Sequence, residues 1–352
     1  MSLPFIFFVI FTAIMSFVQK FVWLSERHYT LKVIAFYTLF FCVALTAATR
    51  ISDPDYENYK VLFIWARGGI GSRLEAFFYY FSRYFPSDSF ESFVFVVSIT
   101  AVMMKAWVLS RWSDRCLTLL LVYVCTVFLM LDVIQMRQSL AVAFLLFAHW
   151  LWVTGKVGWA ILFIITALST HIGSVFYLPA FLFSTKYISR VGIFLLAFVS
   201  LTTGVLLPRT LIVDAIRELQ IDAWLLSKSE IYLTRMSPSI EFSSRHLIVL
   251  LAGVLCLPLI RKDKIALLAF NVLAFGFMIR LIFSNFGDIA FRASSFYWWS
   301  EGLLVSRMLD LVRMTRDTKI VVHFIVCCFY LVVFSNFLIK KGTMISHFLW
   351  TF

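Results

Sequence analysis

The sequence predicts an all-α fold, a polytopic transmembrane helical bundle, and three observations carry that reading. Apolar runs of about 15–25 residues recur from one end of the chain to the other, the length that crosses a bilayer core as a helix. Only 14% of the 352 residues are charged, against 62% hydrophobic and 18% aromatic, whereas soluble domains carry roughly 25% charge. The runs also lack period-two alternation, which excludes the closed barrel, the other architecture that satisfies its backbone in lipid.

The apolar runs place about 12 membrane segments, at 3–19, 32–49, 90–109, 116–131, 138–154, 157–170, 172–185, 191–207, 245–260, 264–284, 289–306 and 319–338. The first, "MSLPFIFFVIFTAIMSFVQK", has no basic leader and no small-residue cleavage site, so it is expected to be a retained span. The six cysteines lie in or at the ends of apolar runs without metal-ligand spacing and read as small hydrophobes. A net charge of +12 raises the question of nucleic acid, but the chain has no basic block or stripe of the kind such proteins carry. The whole of 1–352 is expected to form a single integral membrane domain.

The stretch 157–185 reads either as one long helix with His171 buried mid-span or as two short arms turning near His171. Charge favours the arms, because Lys and Arg near span ends favour the cytoplasmic side. With two arms the inner loops hold sixteen basic residues, among them Lys105, Arg111, Lys156, Arg261, Lys262, Arg307 and Arg313, against five acids. With one span, "RKDK" (261–264) and the basic stretch 307–319 would face outward. Fourteen residues of helix cover only about 21 Å, short of a full bilayer core, so the pair is short enough to be re-entrant. The loops at 50–89 and 208–244 then face outward. They are the only connections longer than about fifteen residues, a length that is usually functional or disordered, and their aromatic content argues against disorder.

On this outward side the polar residues gather. In "RISDPDYENYK" (50–60), Asp53 suits a helix N-cap and Pro54 the first helical position, with Asp55 and Glu57 in the first turns. Tyr56, Tyr59 and Phe63 share one face at helical spacing and could equally line the membrane interface. The cap needs only Asp53, which leaves Asp55 and Glu57 for an outward cavity, with Arg50 just inside the membrane boundary. "QMRQSLAVAF" sets Arg137 and Gln138 at the entrance of a span. There Arg137 either snorkels to headgroups or clamps an anion with its planar fork and the helix N-terminus. His171 in "LSTHIGS" is either a hydrogen-bonded packing residue or a group that positions a sugar hydroxyl, contacts phosphate or takes a proton. Arg280 is expected to be the deepest basic residue, facing the bundle interior or a wet cavity. Arg292 has Asp288 at helical spacing, Glu301 needs a partner, and Arg235 and Arg245 flank the close of the second outer loop. Arginines, acids, tyrosines and a histidine on one face suggest a bound diphosphate and sugar hydroxyls, with aromatic rings as stacking platforms.

The order of three patterns, an acid-tyrosine loop "DPDYENY", then "QMRQSLAVAFLLF", then "LSTHIGSVFYLPAFL", resembles the EpsG-type branch of the Wzy polysaccharide polymerases. The match covers roughly residues 50–185. The later half is similar to the family in hydropathy and in the arginine of "IAFRASSF". Ile172 stands where the family often has proline, which puts the turn geometry in doubt.

The resemblance implies a multi-pass glycosyltransferase of the bacterial inner membrane, active on the periplasmic face, in O-antigen, capsule or exopolysaccharide synthesis. It would transfer a growing glycan from undecaprenyl diphosphate onto another lipid-linked repeat unit, with no nucleotide sugar, metal or other cofactor. A chain-length regulator and a flippase would be its partners. Arg137 and Arg292 would stabilise the diphosphate, with Arg235 and Arg245 as a second tier. Arg50, Asp53, Tyr56, Tyr59, Gln138 and Arg280 would bind substrate, and Asp55 or His171 would serve as base. Two rivals stay open. "DPD" (53–55) also resembles the acidic motif of transferases that use polyprenyl-monophosphate sugars. A lipid-linked oligosaccharide flippase would be hydrophobic in the same way, though the internal repeats common in transporters are not seen.

Overall fold

The computed structural model describes residues 3–22, 29–50, 55–71, 75–113, 116–207, 214, 218 and 244–345. Among them every regular element is helical. The helices are α1 (Leu3–Val22), α2 (Tyr29–Ala48), α3 (Tyr56–Arg67), α4 (Ala76–Arg83), α5 (Phe90–Trp112) and α6 (Cys116–Tyr123), which continues as a π-helix over Val124–Ile134. Next come α7 (Met136–Val153), α8 (Val157–Thr170) and a 3-10 segment Ile172–Tyr177 leading into α9 (Leu178–Phe183). The remainder are α10 (Arg190–Leu206), α11 (Ser244–Leu255), α12 (Leu257–Ile260), α13 (Lys264–Ile282), α14 (Gly287–Ser295), α15 (Trp299–Leu311) and α16 (Arg316–Ile345).

Among the described residues five helices are long and apolar enough to cross a membrane: Phe90–Trp112, Cys116–Ile134, Met136–Val153, Lys264–Ile282 and Asp317–Ile339. The other apolar segments fall on shorter helical stretches. Two segments read as continuous from hydropathy are interrupted. The one at 245–260 breaks at Cys256, and the one at 289–306 breaks at residues 296–298.

The helices form two compact units, Met1–Phe181 with Glu301–Phe352, and Leu182–Ser300. At the centre of the first is α6, all eight of whose residues are buried. A helix apolar all round belongs in that position. α1 and α16 pack against it, and Ser16 Oγ donates to Thr118 Oγ1 at 3.1 Å and meets His323 Nε2 at 3.2 Å. Glu301, fully buried, finds the partner its position demands: it accepts from the Tyr330 hydroxyl at 3.0 Å.

The described part of the first long loop, 50–89, carries two helices, α3 and α4. α3 buries Tyr56, Tyr59, Phe63 and Ala66, one stripe at helical spacing. Those rings meet Phe78, Phe85, Phe90 and Phe93 in a single cluster, so they pack inward and do not line the membrane interface. α3 begins at Tyr56 with Asp55 at its N-cap position, whose side chain makes no capping hydrogen bond. Asp53 and Pro54 lie outside the described residues.

The chain reverses at His171. A three-residue connection, 154–156, turns α8 back along α7, and α8 ends at Thr170, near the start of α7. His171 is extended, with φ −156° and ψ 114°. The next residues return along α7 toward its far end, where His149 Nδ1 lies 2.7 Å from the Tyr177 hydroxyl and Trp152 packs on Phe181 at 5.7 Å between ring centroids. The segment is two arms, as charge indicated.

The same charge argument misplaced Lys105. It is not in an inner loop but fully buried within α5, ion-paired with Asp132. In the second unit, Arg280 sits in the last turn of α13 and is half-buried, so Lys105 is the more deeply enclosed charge. The unit is tightly packed. A Cβ on Gly204 of α10 would meet the Leu281 carbonyl oxygen of α13 at 1.9 Å, so the two backbones touch. Asn271 Nδ2 lies 2.8–3.0 Å from the carbonyl oxygens of Phe183, Ser184 and Lys186.

Candidate active site around Glu75, Arg137 and His171

Three helix ends place three polar side chains together in the first unit. Glu75 occupies the N-cap position of α4 in an extended conformation, but its side chain makes no capping bond. Its carboxylate turns instead to two partners. Oε2 accepts from Arg137 Nη1 at 2.6 Å, and Oε1 lies 3.4 Å from His171 Nδ1. Arg137 is the second residue of α7 and His171 ends α8. A cation in the first turn of a helix opposes the macrodipole, so the Glu75 carboxylate offsets an unfavourable placement as well as a charge.

The three side chains are each about one-fifth exposed, at 21% for Arg137, 19% for Glu75 and 20% for His171. The cluster is therefore dry enough to strengthen its electrostatics yet open to a ligand. Beneath it, the Arg137 guanidinium lies 5.6 Å above the Tyr59 ring and 5.7 Å from the Phe78 ring, within cation–π range. Arg137 Nε is buried and makes no hydrogen bond.

Burial by itself would raise the Glu75 carboxyl. The His171 hydrogen bond and the Arg137 charge outweigh it and hold the group at about 2, so Glu75 is ionised throughout the physiological range. Burial pushes the Tyr59 phenol up, with Arg137 opposing and Asp55 reinforcing. Asp55 and Arg50 thus act on the same phenol as Arg137.

Behind the cluster lies a second polar centre, within the helices. The Asp132 carboxylate, at the end of the π-helix, accepts from Lys105, Tyr123 and Ser139. Its backbone carbonyl accepts from Arg50 Nη1 at 2.6 Å. A π-segment shifts side chains off the regular register and is often found at functional sites. Here it delivers Asp132 to α5 and to Ser139, two positions beyond Arg137.

Of the sequence-based candidates, Arg137, His171 and Tyr59 converge directly. Arg50 is tied to Asp132, and Gln138 is buried in the first turn of α7. Tyr56 turns away to Phe90 and to Glu91 Oε1, 3.4 Å from its hydroxyl. In the second unit, Arg245 Nη2 lies 2.8 Å from His246 Nε2, and its guanidinium sits 5.7 Å from the Trp298 ring. Arg292 is in the last turn of α14 and half-buried. Arg235 lies outside the described residues. Among those described, no three His, Cys, Asp or Glu side chains gather closely enough to hold a metal ion.

Glu75 is the residue that sequence reasoning missed. In "SRLEAFFYY" it looks like one more loop acid beside an arginine, and only the fold brings it to Arg137 and His171.

The description of the EpsG family matches residues 29–350, nearly the entire chain. The chain belongs to the EpsG family. This is a Wzy-like polymerase family, and the match extends well past the 50–185 region whose motifs first suggested it. No curated protein and no solved structure matches this EpsG-family chain.

Proposed function

We propose that the protein is a membrane glycosyltransferase that polymerises lipid-linked oligosaccharide repeats, with Glu75, Arg137 and His171 at the reacting centre. The single observation that carries the reading is the shared carboxylate: Glu75 bonds Arg137 through one oxygen and His171 through the other. That arrangement supplies two complementary groups from one anchor. Family membership supports the reaction class.

Glycosyl transfer from a polyprenyl diphosphate needs little activation of the donor, because the leaving group is already a good one. The acceptor hydroxyl oxygen attacks the anomeric carbon of the donor glycan as the bond to the diphosphate oxygen breaks. His171 bonds Glu75 through Nδ1, which orients the ring, and on this reading Nε2 takes the hydroxyl proton. The ionised Glu75 stabilises the imidazolium that results. Negative charge grows on the departing diphosphate, and the Arg137 guanidinium answers it. The products are the extended glycan on the acceptor's lipid and a free polyprenyl diphosphate. On this reading His171 is the base and Asp55 acts on Tyr59 from the side.

On this reading the chemistry takes place on the periplasmic face of the inner membrane, with undecaprenyl-diphosphate-linked repeats as the substrate and a flippase to supply them; the basic residues of the other loops support that sidedness. Deleting the gene tests the reading. Lipid-linked single repeats should accumulate on the outer face and polymer should vanish. Long chains in the deletion strain would contradict it, and loss of the outward-facing single repeats would point to the flippase instead.

A further inference from the structure

α4 carries more than Glu75. Glu75, Tyr79 and Arg83 follow at four-residue spacing and form one stripe along the helix, while Tyr80 and Tyr84 form the neighbouring one. The Arg83 Nη1 donates to the Tyr79 hydroxyl at 2.6 Å. The Tyr80 and Tyr84 rings lie parallel, 6.3 Å apart with 5° between their planes, and are 55% and 71% exposed. Tyr79 is fixed from behind, because a Cβ on Gly71 would meet its ring at 2.1 Å. At 1.5 Å per residue, Tyr80 and Tyr84 stand about 8 and 14 Å along the axis from Glu75.

From this we infer that the Tyr79–Tyr84 face of α4 is a carbohydrate-binding subsite that holds the glycan as it leaves the Glu75–Arg137–His171 centre. The inference rests on the polymerase reading above. Two parallel, exposed ring faces match the apolar faces of sugar rings, and the phenol hydroxyls and the Arg83 guanidinium match their hydroxyls. The hydrocarbon core of a bilayer would ask for something different. α3 shows that pattern with exposed Val61, Ile64 and Trp65, whereas α4 exposes no aliphatic side chain larger than alanine between Ala76 and Tyr84. The stripe begins at the reacting carboxylate and runs without interruption to the platform, so a bound chain would extend along it. Weaker holding there should release the polymer sooner and shorten it.

The test compares glycan ladders from deletion cells carrying wild type, Tyr80→Ala/Tyr84→Ala, Tyr80→Phe/Tyr84→Phe or Arg137→Ala at matched membrane abundance. The double alanine variant should still make polymer, with modal length reduced roughly two- to tenfold, the loss of an aromatic contact converted to an equilibrium ratio. The double phenylalanine variant keeps the ring faces and should stay close to wild type. A wild-type length distribution in the double alanine variant overturns the subsite. If Arg137→Ala also leaves the ladder intact, the polymerase reading itself has failed.

A second measurement needs no variant. Nitration of Tyr80 and Tyr84 by tetranitromethane, in vesicles holding the wild-type protein, should slow at least about twofold when polymer released from the producing cells is added. Unchanged nitration, or protection by the bilayer alone when vesicles are compared with detergent, overturns the proposal.

Discussion

Glu75 and Arg137 are 62 positions apart in the chain, yet Oε2 of one lies 2.6 Å from Nη1 of the other. The carboxylate comes from the start of a short helix in the first long loop and the guanidinium from the first turn of an apolar helix. His171, from the break in a third segment, completes the group at 3.4 Å. The pairing ties the loop to the bundle.

That tie is pH-dependent, and its sign follows from Glu75. The carboxyl is held at about 2 against an ordinary 4.5, so its folded value is depressed. The associated stability is complete above about pH 4.5 and is lost as pH falls toward 2, for a total of about 3 kcal/mol. Glu75→Gln should remove this acid-sensitive contribution. Thermal unfolding of the purified protein in detergent, followed from pH 6 to pH 3, should therefore fall more steeply for wild type than for Glu75→Gln.

Lys105 and Asp132 make a contrasting prediction, because both are enclosed. Lys105→Met leaves a buried carboxylate without its cation and should cost about 3–5 kcal/mol. Lys105→Met/Asp132→Asn removes both charges while the amide oxygen still accepts from one of the Tyr123 and Ser139 hydroxyls and the amide NH2 donates to the other, and most of that loss should be recovered. Folded yield after detergent extraction reads the difference. Equal yields for the single and double variants would show that the pair is not what holds this region.

How much of this was legible beforehand can be traced through particular residues. Helical segments were readable because apolar runs of that length have few other folds, and the reversal at His171 was readable from the charge balance across the loops. Tyr56, Tyr59 and Phe63 were placed on one face by spacing alone. Lys105 was misread for a physical reason: a lysine near the end of an apolar run looks like a boundary marker until its carboxylate partner, 27 positions away, is brought beside it. Glu75 left no local trace, since its meaning depends on Arg137 and His171, which no periodicity connects to it. The break at residues 296–298 was hidden for the opposite reason, because "SSFYWWSE" is apolar enough to pass as continuous helix.

Close backbone packing in the second unit gives a stability prediction independent of the site. Gly204→Ala would set a methyl 1.9 Å from the Leu281 carbonyl oxygen, forcing α10 and α13 apart. It should cost about 1–3 kcal/mol, seen as a lower unfolding midpoint. Gly155→Ala also adds a methyl, but in open space at φ +80°, so any loss there reflects backbone strain and not overpacking.

Sidedness can be checked with single cysteines at positions 58 and 262 in a cysteine-free background. Asn58 lies on α3 of the first long loop and Lys262 in the basic turn between α12 and α13. An impermeant thiol reagent should label the first in intact cells and leave the second unlabelled. The reverse pattern would put the Glu75 cluster on the cytoplasmic face and remove it from the proposed periplasmic reaction.

The most direct test of the central claim is the glycan ladder of deletion cells complemented with Glu75→Gln at wild-type abundance. Glutamine keeps the size of the side chain but loses the charge that orients His171 and balances Arg137. The account predicts loss of the ladder with accumulation of lipid-linked single repeats, as for His171→Ala. A full-length ladder from Glu75→Gln would contradict it, and would mean that the shared carboxylate is not part of the reacting centre.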